Sequence, residues 1–156
     1  WQYICDNAWI DGENTPEGVA AMVEGIRPLF TTNPTERGFA IWMSNAPRRP
    51  LPDMAFSLHT DAYVAAYTVY EDPADFARNR AWVDEVFAHA EPVTAGQYLG
   101  DSDFTNRQLA FMAPENWARL QQIIADRDPE GRFHRYLAAD PDRLNINHWE
   151  LEASPR

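Results

Sequence analysis

Lysine is missing from the sequence: all 13 basic side chains are arginine, set against 24 acidic ones, for a formal net charge of −11. An acidic chain with no basic stripe is a poor partner for nucleic acid or an anionic membrane. The arginine-only usage is read as the mark of a GC-rich bacterial coding sequence rather than of a function. Cysteine occurs once, as Cys5, so no internal disulfide can form. A lone thiol fits a reducing cytoplasm and leaves secretion open. No apolar run approaches the length of a membrane span, and mean hydropathy is −0.52. There is no glycine-rich phosphate loop, because "GENTPEG" lacks both a lysine and a strand–loop–helix setting. The four histidines, His59, His89, His134 and His148, stand singly, without the short spacings that put two metal ligands on one face. No metal site is expected.

What is present is enough for a packed globule: 156 residues, 45% apolar and 13% aromatic. The chain opens on Trp1 with strand-like residues ("WQYIC"), without Met or a signal segment. It is read as a portion of a longer protein. "TPEGVAAMVEGIRPLF" predicts a helix behind a Thr15 cap and Pro16, with Val19, Met22, Val23, Ile26 and Phe30 on one face. "RGFAIWMS" (37–44) predicts a strand, 45–54 a proline-rich loop, and "AFSLHTDAYVAAYTVY" (55–70) a long strand. A second helix follows Asp72 and Pro73, with Phe76, Val83, Val86 and Phe87 inward. A strand is expected at 92–100, and a last helix from Pro114 presents Trp117, Leu120, Ile123 and Ile124. Residues 1–137 form one globular domain in this reading, and 138–156 an irregular tail anchored by Trp149.

Strand, helix, strand, strand, helix, strand, helix predicts an α+β fold, an antiparallel sheet with helices on one face in the ferredoxin-like manner. "YVAAYTVY" is apolar at both alternations, so neither face of that strand is built for water. Something is expected to cover the second face.

Chemistry-bearing constellations are few. His59 and Asp61 flank Thr60, the solvated loop or strand edge being the plainer reading. Cys5 has no nearby cation or histidine in sequence to activate it. The acidic pairs Asp101/Asp103 and Asp126/Asp128 sit at turns, where aspartate is favoured for backbone hydrogen bonding. That leaves the tyrosines Tyr63, Tyr67 and Tyr70 on one strand and Tyr98 on another. A tyrosine hydroxyl facing a substrate can act as general base where its pKa is lowered.

One further pattern is informative. "NWARLQQIIADRDPEGRF" pairs an Asn116-Trp117-x-Arg119-Leu120 helix with Asp128-Pro129 and Phe133. This resembles the closing segment of FAD-linked oxidases of the berberine-bridge-enzyme type, in the vanillyl-alcohol-oxidase flavoprotein superfamily. "YVAAYTVYED" is similar to the family's Tyr-x-x-x-Tyr substrate strand, and "GQYLGDSD" to its Tyr-x-Asn-x-x-Asp segment. The resemblance runs in consistent order over about residues 38 to 137.

The resemblance implies that the chain is the C-terminal substrate domain of a larger flavoprotein, with an N-terminal FAD-binding domain of the same protein lying over the bare sheet face. It implies FAD as cofactor, hydride transfer from a small alcohol, sugar or natural-product intermediate, and no activity for this portion alone. Tyr98 falls on the tyrosine that serves as base or substrate contact. Val64 and Ala66 fall where relatives carry polar residues facing the substrate, which implies a roomier, more apolar pocket. Asn116 and Gly100 fall on positions near the flavin, although Gly100 replaces an asparagine and Met112-Ala113-Pro114 replaces Tyr-Tyr-Gly. The competing readings are a stand-alone dimeric ferredoxin-like module that binds a small ligand without flavin, and an inactive relative.

Overall fold

The computed structural model describes residues 1–45, 49–50, 52–58, 60–104 and 106–133. His59, His134 and His148, with the expected tail and Trp149, lie outside the described residues. The chain runs β1 (Gln2–Ile10), α1 (Pro16–Thr31), β2 (Phe39–Ser44), β3 (Ala62–Tyr70), α2 (Phe76–Ala90), β4 (Thr94–Gly96) and α3 (Pro114–Arg127). All strand pairings are antiparallel and the sheet order is β2-β3-β1-β4. This is the α+β arrangement that the element order predicts.

Local chemistry explains the boundaries. Thr15 caps α1, its hydroxyl accepting from the Gly18 N–H at 3.0 Å, with Pro16 at the first position. Pro28 lies inside the helix and has no N–H for the Glu24 carbonyl. The His89 ring nitrogen of α2 takes that carbonyl at 3.3 Å, turning a helix defect into a helix–helix contact. Asp72 accepts from the Ala74 N–H at 2.9 Å, but it caps a 3₁₀ turn (Pro73–Asp75) from which α2 proper starts at Phe76.

The pleat sorts the central strands into two faces. On one, Ile4, Ala8 and Ile10 of β1 and Ala62, Val64, Ala66 and Tyr70 of β3 pack against Ile26 and Leu29 of α1 and Val83, Val86, Phe87 and Ala90 of α2. Each fully buried large side chain here stabilises by about 1.5–3 kcal/mol. On the other face, Trp9, Tyr63 and Ala65 form a smaller cluster with Leu58, Ile41 and Tyr67 at its border.

Several expected details differ. β3 starts at Ala62, because Ala55–Leu58 pack across the second face instead of extending the strand. β4 is three residues long. The α1 face is narrower than its periodicity predicts: Val19, Val23 and Phe30 stay exposed, and Ile26 and Leu29 are the buried pair. Phe76 is exposed, since it stands at the entry of α2 beyond the reach of the sheet. α3 buries none of its residues; it is tied to the 52–58 segment through Asn116, Arg119 and Ala113.

Candidate functional site

The second sheet face owes its character to odd-numbered strand positions. Cys5, Asn7 and Trp9 of β1 and Tyr63, Ala65 and Tyr67 of β3 share it, and the register sets Trp9 beside Tyr63 and Cys5 beside Tyr67. Phe56, from the segment before β3, and Tyr98, just beyond β4, complete an aromatic cluster. Trp9 lies 5.1 Å from Tyr63, 5.7 Å from Phe56 and 6.4 Å from Tyr98, ring centre to ring centre. Tyr98 meets Tyr63 edge-on at 6.0 Å and Phe56 at 5.9 Å. Such tilted pairs add about 0.5–1.5 kcal/mol each beyond their buried area. Trp9 and Tyr63 are the floor; Phe56 and Tyr98, 43% and 39% exposed, are the part a ligand can touch.

Polar groups on this face fall into two kinds. The Tyr63 hydroxyl donates to Asp101 Oδ2 at 2.6 Å. Burial, reinforced by that hydrogen bond and the Asp101 charge, holds Tyr63 far above the usual tyrosine range. Tyr67 is pushed up to about 12, by burial first and then by Asp101. Both stay protonated at neutral pH, so neither is a base. The Cys5 thiol, 3.6 Å from the Asp101 carbonyl, is pushed up to about 11 by burial and the charges of Asp101, Asp6 and Asp103; it is no nucleophile. By contrast, the Tyr98 hydroxyl has no hydrogen-bond partner among the described residues, and the buried Trp9 Nε1 likewise lacks one.

The segment carrying Tyr98 is held rigidly. Buried Gln97 accepts from the Leu109 N–H at 2.5 Å, and its own N–H donates to the Ala110 carbonyl at 2.9 Å. Arg107 donates to buried Asp6 Oδ2 at 2.8 Å and also to the Asn7 carbonyl, while its guanidinium lies 4.6 Å over the Phe87 ring. Burial pushes the Asp6 carboxyl up, and Arg107 pulls it back. Arg80 of α2 pairs with Asp103 at 2.8 Å. The acidic pair at 101 and 103 is therefore divided: Asp101 serves the aromatic face and Asp103 the helix layer.

The expected site residues separate accordingly. Tyr98 and Gly100 come together on the open face: a Cβ at Gly100 would stand 2.7 Å from the Tyr98 ring, so only glycine leaves the ring its place. Val64 and Ala66 do not join them. Both are fully buried on the helix side, facing α1 and α2, because their even parity turns them away from Tyr98. Tyr63, Ala65 and Tyr67 occupy the face assigned to that pair. Asn116 stands apart, its amide donating at 3.0 Å to both Asp53 Oδ1 and the Met54 carbonyl. Tyr70, grouped in sequence with Tyr63 and Tyr67, is buried on the helix side. Trp9, Asn7 and Phe56 were not picked out from sequence; only the antiparallel register brings them to Tyr98. Among the described residues no group of His, Cys, Asp and Glu is arranged to hold a metal, and no helix is long and apolar enough to cross a membrane.

No family model matches the chain. Curated proteins do. The FAD-linked oxidoreductases penO of Penicillium crustosum and ptmO of Penicillium ochrochloron are each 31% identical over 144 residues, covering 91% of this chain and 30% of theirs. The FAD-linked oxidoreductase nodO of Hypoxylon pulicicidum is 30% identical over 114 residues, 72% of this chain and 25% of its own. These relatives are fungal, so they lend the bacterial reading of the arginine-only composition no support. The chain spans under a third of the length of the relatives it matches, and over nearly all of its own length it is related to FAD-linked oxidoreductases.

Proposed function

We propose that the chain is the substrate-facing part of an FAD-dependent oxidoreductase, of berberine-bridge-enzyme type, and that its open sheet face looks onto the flavin. The observation that carries this reading is the contrast between the two faces. One is sealed by α1 and α2; the other is an aromatic floor edged by a half-exposed Tyr98 whose hydroxyl has no partner among the described residues. The similarity to longer FAD-linked oxidoreductases supports it.

The residues fit one part of the cofactor. A flat, apolar ring matches the exposed surface of Phe56 and Tyr98 over the Trp9 floor, whereas no glycine-rich loop here serves a diphosphate, so that part belongs to the remainder of a longer protein. FAD, when bound, supplies the acceptor for the hydride that a substrate C–H gives up. Tyr98, acting as its phenolate, takes the proton from the adjacent substrate O–H or N–H and becomes the neutral phenol. Phe56 and Tyr98, supported from beneath by Trp9 and Tyr63, exclude water from one side and orient a small organic substrate such as an alcohol, a sugar or a natural-product intermediate. Gly100 gives the Tyr98 ring room beside the flavin, and Asn116 fixes α3 to the 52–58 segment at the rim. Alone, this portion is inactive.

The test is flavin bleaching under anaerobic conditions in the protein made from its full reading frame, with a panel of alcohols. Tyr98→Phe slows bleaching by on the order of 10²–10⁴-fold, the usual contribution of a positioned base. A Tyr98→Phe enzyme as fast as wild type would remove the assignment.

A further inference from the structure

We propose that Asn7 is the positioning residue that fixes Tyr98 on the open face. The inference rests on the role given to Tyr98 above and extends it to a residue of the central strand. β4 pairs with β1 at Trp9↔Gly96 and stops there. Two residues further along the same register, Asn7 would face Tyr98 main chain to main chain. Instead the Asn7 carboxamide stands between them. Its Oδ1 accepts from the Tyr98 N–H at 2.6 Å, and its Nδ2 donates to the Tyr98 carbonyl at 3.0 Å. One side chain thus supplies the donor and acceptor that a neighbouring strand would have supplied.

The rest of the polar arrangement is consistent with that duty. The Asn7 main-chain groups, which β4 would otherwise pair, are taken by Asp6 Oδ1 on the N–H at 2.7 Å and by Arg107 on the carbonyl. Ser102 closes the loop: it accepts from Asn7 Nδ2 at 2.9 Å and donates to the Tyr98 carbonyl at 2.6 Å. Asn7 is fully buried, so water does not compete for these bonds. The chain at Tyr98 is held one carboxamide's length from β1, which carries its ring back over Trp9 and Tyr63 while the hydroxyl stays clear. A misplacement of about 1 Å in such a group costs on the order of a hundredfold in rate.

The experiment uses the protein from its full reading frame with fluorotyrosine incorporated, read by fluorine NMR. The Tyr98 signal is identified by its loss in Tyr98→Phe. In Asn7→Ala, and in Asn7→Gln with its longer reach, the Tyr98 signal shifts or broadens. Bleaching falls by on the order of a hundredfold, with KM changed much less. Ser102→Ala, which removes both bonds of a half-buried hydroxyl but leaves the two Asn7–Tyr98 bonds in place, moves the signal in the same direction by a smaller amount. A folded Asn7→Ala protein with the Tyr98 signal at its wild-type position would overturn the proposal. Should Asn7→Ala fail to fold, an unmoved Tyr98 signal in Ser102→Ala overturns it instead. If no alcohol bleaches the flavin, the oxidoreductase reading fails, while the NMR comparison still decides whether Asn7 fixes Tyr98.

Discussion

The two faces of this sheet share the same strands and differ in every other respect. The helix-side face is built from aliphatic and small residues at even positions and is closed by Val83, Val86 and Phe87 from α2. The open face is built from aromatic rings at odd positions and is edged by chain segments, not by a helix layer. The first buries mostly apolar volume, with Thr68 and the Asp6–Arg107 pair its polar exceptions; the second carries hydroxyls, an indole N–H and a carboxylate in fixed places. Stability therefore lives mainly on one side of the sheet, and it is on the other that we propose the chemistry.

The largest expected effect breaks that division. Val64→Lys puts a charge into the sealed face with no partner, and it lowers stability by about 3–5 kcal/mol or more, read by denaturant unfolding. A Val64→Lys protein as stable as wild type would mean that Val64 faces outward after all. Next is Arg107→Ala, which strands the buried Asp6 carboxylate and loosens the segment carrying Tyr98; about 3 kcal/mol is the expected loss. Tyr63→Phe sharpens the comparison within the open face. It removes a hydrogen bond to Asp101, costing about 1.5–3 kcal/mol, yet it leaves bleaching far less affected than Tyr98→Phe does.

A pH experiment separates burial from reactivity on the same face. The folded state holds the Cys5 proton up to about 11, against 9.0 for the free thiol. Alkylation in the native protein therefore stays slow at neutral pH and rises only as that value is approached. The corresponding stability is fully present below the free-thiol value and is lost as pH climbs through the folded one. Fast alkylation at neutral pH would contradict the enclosed setting of Cys5. The smallest effect is expected at the rim: Arg119→Ala breaks an exposed pair with Asp53 and changes stability by less than about 1 kcal/mol.

Much of this architecture was legible in the residues, and the reasons are local. Thr15-Pro16 and Asp72-Pro73 announce the turns into α1 and α2, and alternating β-branched and aromatic residues mark β1, β2 and β3. The side of β3 was not legible. "YVAAYTVY" is apolar at both parities, so nothing in it says whether Val64 or Tyr63 faces the helices, and that choice falls to the antiparallel register with Trp9 and Met43. β4 reads as a short strand over 92–100 because its composition is strand-like, but the ladder covers only Thr94–Gly96; the side chain of Asn7, 91 residues away in sequence, takes over the pairing at Tyr98. α3 has the right period for a buried face, but its neighbour is the 52–58 segment, not the core. Periodicity predicts which side of a helix is apolar and leaves open how much of it will be covered. Of the candidate site, Tyr98 and Gly100 stand together on the open face, while Trp9, Asn7 and Phe56 required the fold.

The central claim is that the open aromatic face serves a flavin. The most direct measurement is the visible absorption spectrum of the protein expressed from its full reading frame, before and after an oxidisable alcohol is added without oxygen. The account predicts a bound-flavin spectrum that bleaches with substrate and bleaches far more slowly in Tyr98→Phe. A colourless protein, or one whose flavin is indifferent to both substrate and Tyr98, would contradict it.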